Sequence, residues 1–239
     1  MGSLFLIRHG QASYGEADYD RLSARGHEQA KALGGWLAGA KLDALYAGPL
    51  RRQRETVAGA VAAAASAGPT PPSPVELAGL AEYPAFEMLQ HLVPRLVQHD
   101  PKFAQLTSAP TPRLLDDAFK TVLAKWGSDE WVADGVERVT EFVDRVRGAL
   151  CQAIAGAKSG ARVACVTSAG PIGVGVGLAF GIPAAQMVRT SIVIRNASIT
   201  ELKFRSGIVS PTTALSPDHI SLVTFNVTGH LPVELLTER

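Results

Sequence analysis

Leu4-Phe5-Leu6-Ile7 is an unbroken apolar run that closes on Arg8, His9 and Gly10. A run this short, bounded by a glycine, predicts a strand buried on both faces, and such strands belong to parallel sheets covered by helices on both sides. In an open α/β sheet, ligands bind beyond the carboxyl ends of the strands. The run therefore commits the chain to an α/β fold and puts Arg8 and His9 at the mouth of a crevice. An isolated histidine is more often structural than catalytic. Its place at a strand end is what makes His9 a candidate.

The rest of the chain extends this pattern. Leu42 to Ala47, Val75 to Leu77, Arg162 to Thr167, Ser191 to Phe204 and Ile220 to Asn226 read as further strands. Between them, Ser23 can cap a helix with Ala30, Leu33 and Leu37 on its apolar face, a second helix begins at Arg51, and Val136 to Ile154 is amphipathic. From Pro84 to about 135 the pattern changes to short helical pieces broken by prolines at 94, 101, 110 and 112. The expectation is an α/β three-layer sandwich: a mostly parallel central sheet of about six strands with helices on both faces. It forms a single domain over 1–239, with a helical cap inserted at about 84–135.

The 239 residues are 46% hydrophobic with a net charge of +1, which excludes a bulk electrostatic pull toward nucleic acid. Val163 to Val188 carries no charge, but Pro171, Pro183 and its glycines favour a strand and a buried helix over a membrane span. Cys151 and Cys165 lack metal-ligand spacing, so neither zinc nor a disulfide is expected. The start lacks a leader pattern, which makes a cytoplasmic protein the expectation.

Other candidates come from position. Arg51, Arg52 and Arg54 share the first turn of a helix that starts just past a strand, a natural anion site, and Arg52 is the candidate; Arg51 and Arg54 read as solvated. Thr167-Ser168-Ala169-Gly170-Pro171 opens another helix and offers N–H groups to an anion. Glu82 follows a strand end ahead of the insertion. Gly173, Gly175 and Gly177 do not fit a dinucleotide fingerprint, and close helix packing explains them better. His27, His91 and His99 read as helix surface or packing.

Arg8-His9-Gly10, Leu22-Ser23-Ala24-Arg25-Gly26 through Gln29-Ala30, and Gly48-Pro49-Leu50-Arg51-Arg52 through Thr56 together resemble the histidine phosphatase superfamily, with its phosphoglycerate mutase-like fold. Glu82, the turn at Ser168, Asn196-Ala197-Ser198 and Phe225-Asn226 through His230-Leu231 extend the resemblance over nearly the whole chain. It implies that His9 is the nucleophile that accepts a phosphoryl group, that Arg8 and Arg52 hold the phosphate oxygens, and that Glu82 protonates the leaving oxygen. Gln11, Ser13, Ser168 and Ala169 complete the expected substrate contacts. The chemistry is coherent, because two arginines beside an imidazole keep it neutral and neutralise charge on the transferring phosphoryl.

Two positions depart from the family pattern. Ser168 stands where the superfamily usually has a second histidine, and Gly15 where it often has an asparagine. A serine hydroxyl donates one hydrogen bond but brings no charge, so Ser168→His is expected to raise activity. His230, beyond the last strand, is weighed as a stand-in for the missing histidine.

The expected function is a phosphatase acting on small phosphomonoesters, without metal or other cofactor. The alternative is a phospholigand-binding protein with lost or residual turnover, and a mutase is disfavoured. The expected partner is a small phosphorylated substrate; nucleic acid and membrane are not expected, and a homodimer is left open. In the cap, Arg95, Lys102, Arg113 and Lys120 are candidates to meet a second anionic group.

Overall fold

The computed structural model describes every residue of the chain except Ala17, Thr107 and Arg239. Six strands form one sheet: β1 (Gly2–Arg8), β2 (Ala44–Ala47), β3 (Val75–Glu76), β4 (Arg162–Thr167), β5 (Ile199–Phe204) and β6 (Ile220–Val227). Their order is β3-β2-β4-β1-β5-β6, with β5 antiparallel to both neighbours, so β6 runs in the same direction as β1.

Alternation along β1 divides the core into two layers. Leu4 and Leu6 join a cluster with Leu150, Ile172 and Val174, whereas Phe5 and Ile7 join Leu33, Leu37, Val57 and Ala60. The first cluster includes α5 (Val139–Ile154) and α6 (Ala169–Phe180), and the second α1 (Ala24–Ala40) and α2 (Arg51–Ala67). Helices thus cover both faces. Burying each of these four β1 side chains is worth about 1.5–3 kcal/mol, which fixes the strand's register and the place where it ends.

Between β3 and α5 lie α3 (Ala85–His99), a 3-10 turn at Pro101–Leu106 and α4 (Pro112–Gly127). Met88, Leu92 and Leu96 of α3 and Val122, Leu123 and Trp126 of α4 belong to the same apolar cluster as Leu4 and Leu6. Pro94 does not break α3 as expected but sits inside it. A proline deprives a helix of one hydrogen bond, and the buried Met88-Leu92-Leu96 face continues through it.

The expected strand Ser191–Phe204 is corrected more substantially. Ser191 ends a short helix, α7 (Ala184–Ser191), its hydroxyl donating to the Val188 carbonyl at 2.6 Å, and β5 begins only at Ile199. The residues between form a loop in which Ile194 and Ala197 are buried while Ile192 and Val193 are exposed. Gly173 and Gly177 lie directly against Met187 of α7, and Gly175 against Leu6, so these glycines serve close packing. Among the described residues, no helix is long and apolar enough to cross a membrane.

Candidate active site

His9 follows the end of β1 and is 4% exposed. Its backbone is held on both sides: the N–H donates to Thr167 O at 2.8 Å, and the carbonyl accepts from Ala197 N at 3.1 Å and Asn196 Nδ2 at 3.3 Å. The ring is oriented as firmly. Nδ1 lies 2.6 Å from the Gly10 carbonyl, which can only accept, so Nδ1 carries the proton. Nε2 therefore keeps its lone pair, and it accepts from Arg52 Nε at 3.0 Å. Burial, reinforced by Arg52 and Arg8, holds the imidazole well below its usual pKa. The result is a neutral ring with an available Nε2.

The three arginines of the α2 start separate as expected. Arg51 is exposed and pairs with Asp18 and with Glu55 at 2.6 Å, and Arg54 is exposed 3.5 Å from Glu76. Arg52 is 8% exposed and reaches His9 with Nε while Nη1 donates to Asp20 at 2.5 Å. Thr56, one turn on, accepts from the Gly10 N–H at 3.0 Å and donates to the Arg52 carbonyl at 2.6 Å, tying the His9 loop to this helix.

Arg8 is fixed by backbone carbonyls. Its Nη1 donates to Ile194 O and, at 2.9 Å, to Glu238 O, while its buried Nε has no partner. Burial works against its charge, partly offset by Glu82.

Glu82 follows a 3-10 turn at Ala78–Leu80 that Arg145 pins through the Gly79 and Ala81 carbonyls at 3.0 and 3.1 Å. Its Oε1 accepts from Gly170 N at 3.0 Å and Tyr83 N at 3.1 Å; Oε2 is farther from Gly170, at 3.3 Å. A Cβ on Gly170 would stand 2.1 Å from Oε1, so this approach requires glycine. Burial raises the Glu82 pKa, and Arg52 and the two N–H donors oppose the rise only in part.

The helix starts expected to receive a ligand anion already hold carboxylates of the chain. Glu82 takes the Gly170 N–H of α6, and Asp20 accepts from Arg51 N at 2.8 Å at the start of α2. Favourable helix-end electrostatics is therefore spent on aiming Glu82 and, through Asp20, Arg52.

Ser168 is fully buried and does not cap α6; its hydroxyl accepts from Gln53 Nε2 at 2.8 Å. Ser13 is buried with an unpartnered hydroxyl, while Gln11 donates its N–H to Gln29 Oε1 at 2.7 Å and accepts from Ser23 Oγ at 3.0 Å. Ala169 is buried at the first position of α6. His230 is half-buried, its Nε2 lacks a hydrogen-bond partner, and its ring makes no hydrogen bond to His9, Ser168 or Glu82.

A cavity of about 710 Å³ lies on the Gln11 side of the site, lined by Gln11, Asp116, Lys120, Arg195, Thr237 and Glu238, with Leu236; His9, Arg52, Glu82 and Ser168 do not line it. Of the four cap cations singled out by sequence, only Lys120 faces it. Arg95 lies over the Trp131 ring, and Lys102 and Arg113 line a separate cleft with Asp117. Sequence reasoning missed Asp20, Gln53, Arg145 and the C-terminal segment, whose Thr237 carbonyl accepts from Asn196 N at 3.0 Å. None carries a local signal, since each acts through a contact distant in sequence. Among the described residues no group of three or more His, Cys, Asp or Glu could hold a metal ion. Cys151 and Cys165 are unbonded to each other, and burial pushes the Cys165 thiol up to about 12.

The architecture recurs in solved structures of low identity. A mycobacterial glucosyl-3-phosphoglycerate phosphatase bound to inorganic phosphate is 18% identical, with a TM-score of 0.65 over 96% of this chain and 99% of that one. A phosphoserine phosphatase from Entamoeba histolytica, in complex with 3-phosphoglyceric acid, is 19% identical, with a TM-score of 0.61 over 97% and 100%. A putative alpha-ribazole-5'-P phosphatase from Escherichia coli is 18% identical, with a TM-score of 0.60 over 95% and 98%. No curated protein sequence matches the chain. The model of the histidine phosphatase superfamily (branch 1) matches residues 4–112 and 102–211, and with β1, β4 and their motif residues inside that match, the chain belongs to this superfamily.

Proposed function

We propose that the chain is a phosphatase that hydrolyses small phosphomonoesters through a phosphohistidine on His9. The observation that carries this reading is the tautomer: Nδ1 is committed to the Gly10 carbonyl, which leaves Nε2 as a nucleophile beside Arg52. The phosphoryl group enters in front of Nε2, and Arg52 turns from the ring to its oxygens. Arg8, the Ser13 and Ser168 hydroxyls and the Ala169 N–H supply further donors, with Gln11 at the rim. As the Nε2–P bond forms and the P–O bond to the leaving alcohol breaks, Glu82 gives its proton to that oxygen. Water then attacks phosphorus, Glu82 recovers a proton from it, and the P–N bond breaks to release orthophosphate and neutral His9. The arginines neutralise the phosphoryl charge, so the step needs no metal.

The names of the similar structures, all phosphatases, agree with this reading. A protein that only bound phospholigands would need neither the nucleophile nor the acid. The cavity lining is charged and hydroxyl- or amide-bearing apart from Leu236, which suits a polar alcohol as leaving group. Turnover of a panel of phosphorylated metabolites, unchanged by chelator, is the expected result. No release of orthophosphate from any of them, or activity lost with chelator and restored by a divalent cation, contradicts the reading.

The same groups set the pH dependence. His9 must be neutral, and its pKa lies well below the usual value, so activity rises as pH climbs through that low pKa. Glu82 must be protonated, and its pKa is raised, so activity falls as pH climbs through it. The expected kcat/KM profile for an alkyl phosphate is a bell with its acid limb set by His9 and its alkaline limb by Glu82. In Glu82→Gln the alkaline limb should disappear; a limb that persists unchanged belongs to another group.

A further inference from the structure

Gln53 follows Arg52 on α2 and is fully buried, yet it belongs to no step of the reaction described above. All its polar atoms are engaged. Oε1 accepts from Leu50 N at 3.0 Å, and Nε2 donates to Leu80 O at 3.1 Å and to Ser168 Oγ at 2.8 Å. The orientation of the carboxamide is not a choice between two flips, because a backbone N–H can only donate and a carbonyl can only accept. Ser168 Oγ therefore faces an N–H and must accept from it. The hydroxyl proton is left over, and no described acceptor takes it.

The neighbourhood of that proton is set by the sheet. β4 pairs with β1 in the register Arg8 to Thr167, and His9 N donates to Thr167 O, so the next residues along the two strands, His9 and Ser168, leave the sheet side by side. Gly170, two residues further on, holds Glu82. The carboxamide also explains a glycine, because a Cβ on Gly48 would lie 2.1 Å from Gln53 Oε1.

Resting on the phosphatase reading, we propose that Gln53 is a positioning residue that fixes the Ser168 hydroxyl as a hydrogen-bond donor to the phosphoryl group on His9. Gly48, Gln53 and Ser168 work as one unit. It follows that Ser168→His alone does not raise activity: the site is fully buried and the carboxamide fills the space beside it. In Gln53→Ala/Ser168→His the imidazole adds as many heavy atoms as the first change removes.

The experiment measures kcat, KM, affinity for vanadate and thermal stability in Ser168→Ala, Gln53→Met, their double variant, Ser168→His and Gln53→Ala/Ser168→His. One neutral hydrogen bond to the transferring group corresponds to about a tenfold change. Ser168→Ala and Gln53→Met should each lower kcat and vanadate affinity by about that factor with little change in KM, and the double variant should be no worse than Ser168→Ala. Gln53→Ala/Ser168→His should bind vanadate more tightly than Ser168→His. A folded Gln53→Met with wild-type kcat and vanadate affinity, or losses that multiply in the double variant, overturns the proposal. Should Gln53→Met fail to fold, the comparison between the two histidine variants decides, and equal affinities overturn it. A wild-type chain that binds vanadate without turning over any ester sinks the phosphatase reading but leaves this series decisive; one that does not bind vanadate overturns both.

Discussion

Replacing His9 by alanine is expected to lower phosphomonoester turnover by on the order of 10⁴-fold or more, since removing the nucleophile from a cooperating constellation eliminates most of what the other members achieve. The fold should survive. His9 is buried, but its backbone bonds to Thr167, Asn196 and Ala197 do not involve the imidazole. The ring's own hydrogen bonds are to the Gly10 carbonyl and Arg52 Nε, and Arg52 retains Asp20 after the change. Wild-type thermal stability to within a few degrees, with intact binding of orthophosphate, should therefore accompany the loss. Turnover within tenfold of wild type in a folded variant would mean that another group attacks phosphorus.

Glu82→Gln should divide substrates by leaving group. An alkyl alkoxide needs its proton as the P–O bond breaks, and general acid catalysis is worth about 10²–10⁴-fold, so alkyl phosphates should lose that much. A nitrophenolate leaves without a proton, so an aryl phosphate should lose less than about tenfold in kcat on the same general-acid argument. The assignment of the proton to Oε2 follows from geometry. Oε1 already accepts from Gly170 and Tyr83 at 3.0 and 3.1 Å, whereas Oε2 has only the longer 3.3 Å approach to Gly170. Glutamine keeps one oxygen for these donors and so keeps the loop in place. Parallel kinetics on an alkyl and an aryl phosphate check this, and equal losses on both would remove Glu82 as the acid.

Much of this was legible in the sequence because it is local. The β1 run, buried on both faces, and the β4 run Arg162–Thr167 are visible as apolar stretches with sharp ends, and those ends carry Arg8, His9 and Ser168. The separation of Arg52 from Arg51 and Arg54 follows from helical direction, since Arg51 and Arg54, three residues apart, share one face of the helix and Arg52 lies on another. What stayed hidden depends on contacts across the chain. Gln53 reads as an ordinary polar helix residue until α2 is placed beside the end of β4, 115 positions away. The helix starts looked like open anion sites because nothing local reveals that Glu82 and Asp20 occupy them. The alternation from Ser191 to Phe204 mimics a strand, yet the Asn196 backbone is drawn to Thr237 and the Ala197 backbone to His9, and Ala197 takes a φ of 53°, which no extended strand adopts.

The central claim is a covalent bond between phosphorus and His9 Nε2. Rapid-quench labelling with a turned-over phosphoester, followed by mapping of the trapped phosphate, tests it directly. The expected result is one acid-labile, base-stable phosphate on His9 that forms and decays at rates compatible with kcat and is absent in His9→Ala. Full turnover with no phosphate on His9, or with label on another residue, would contradict it.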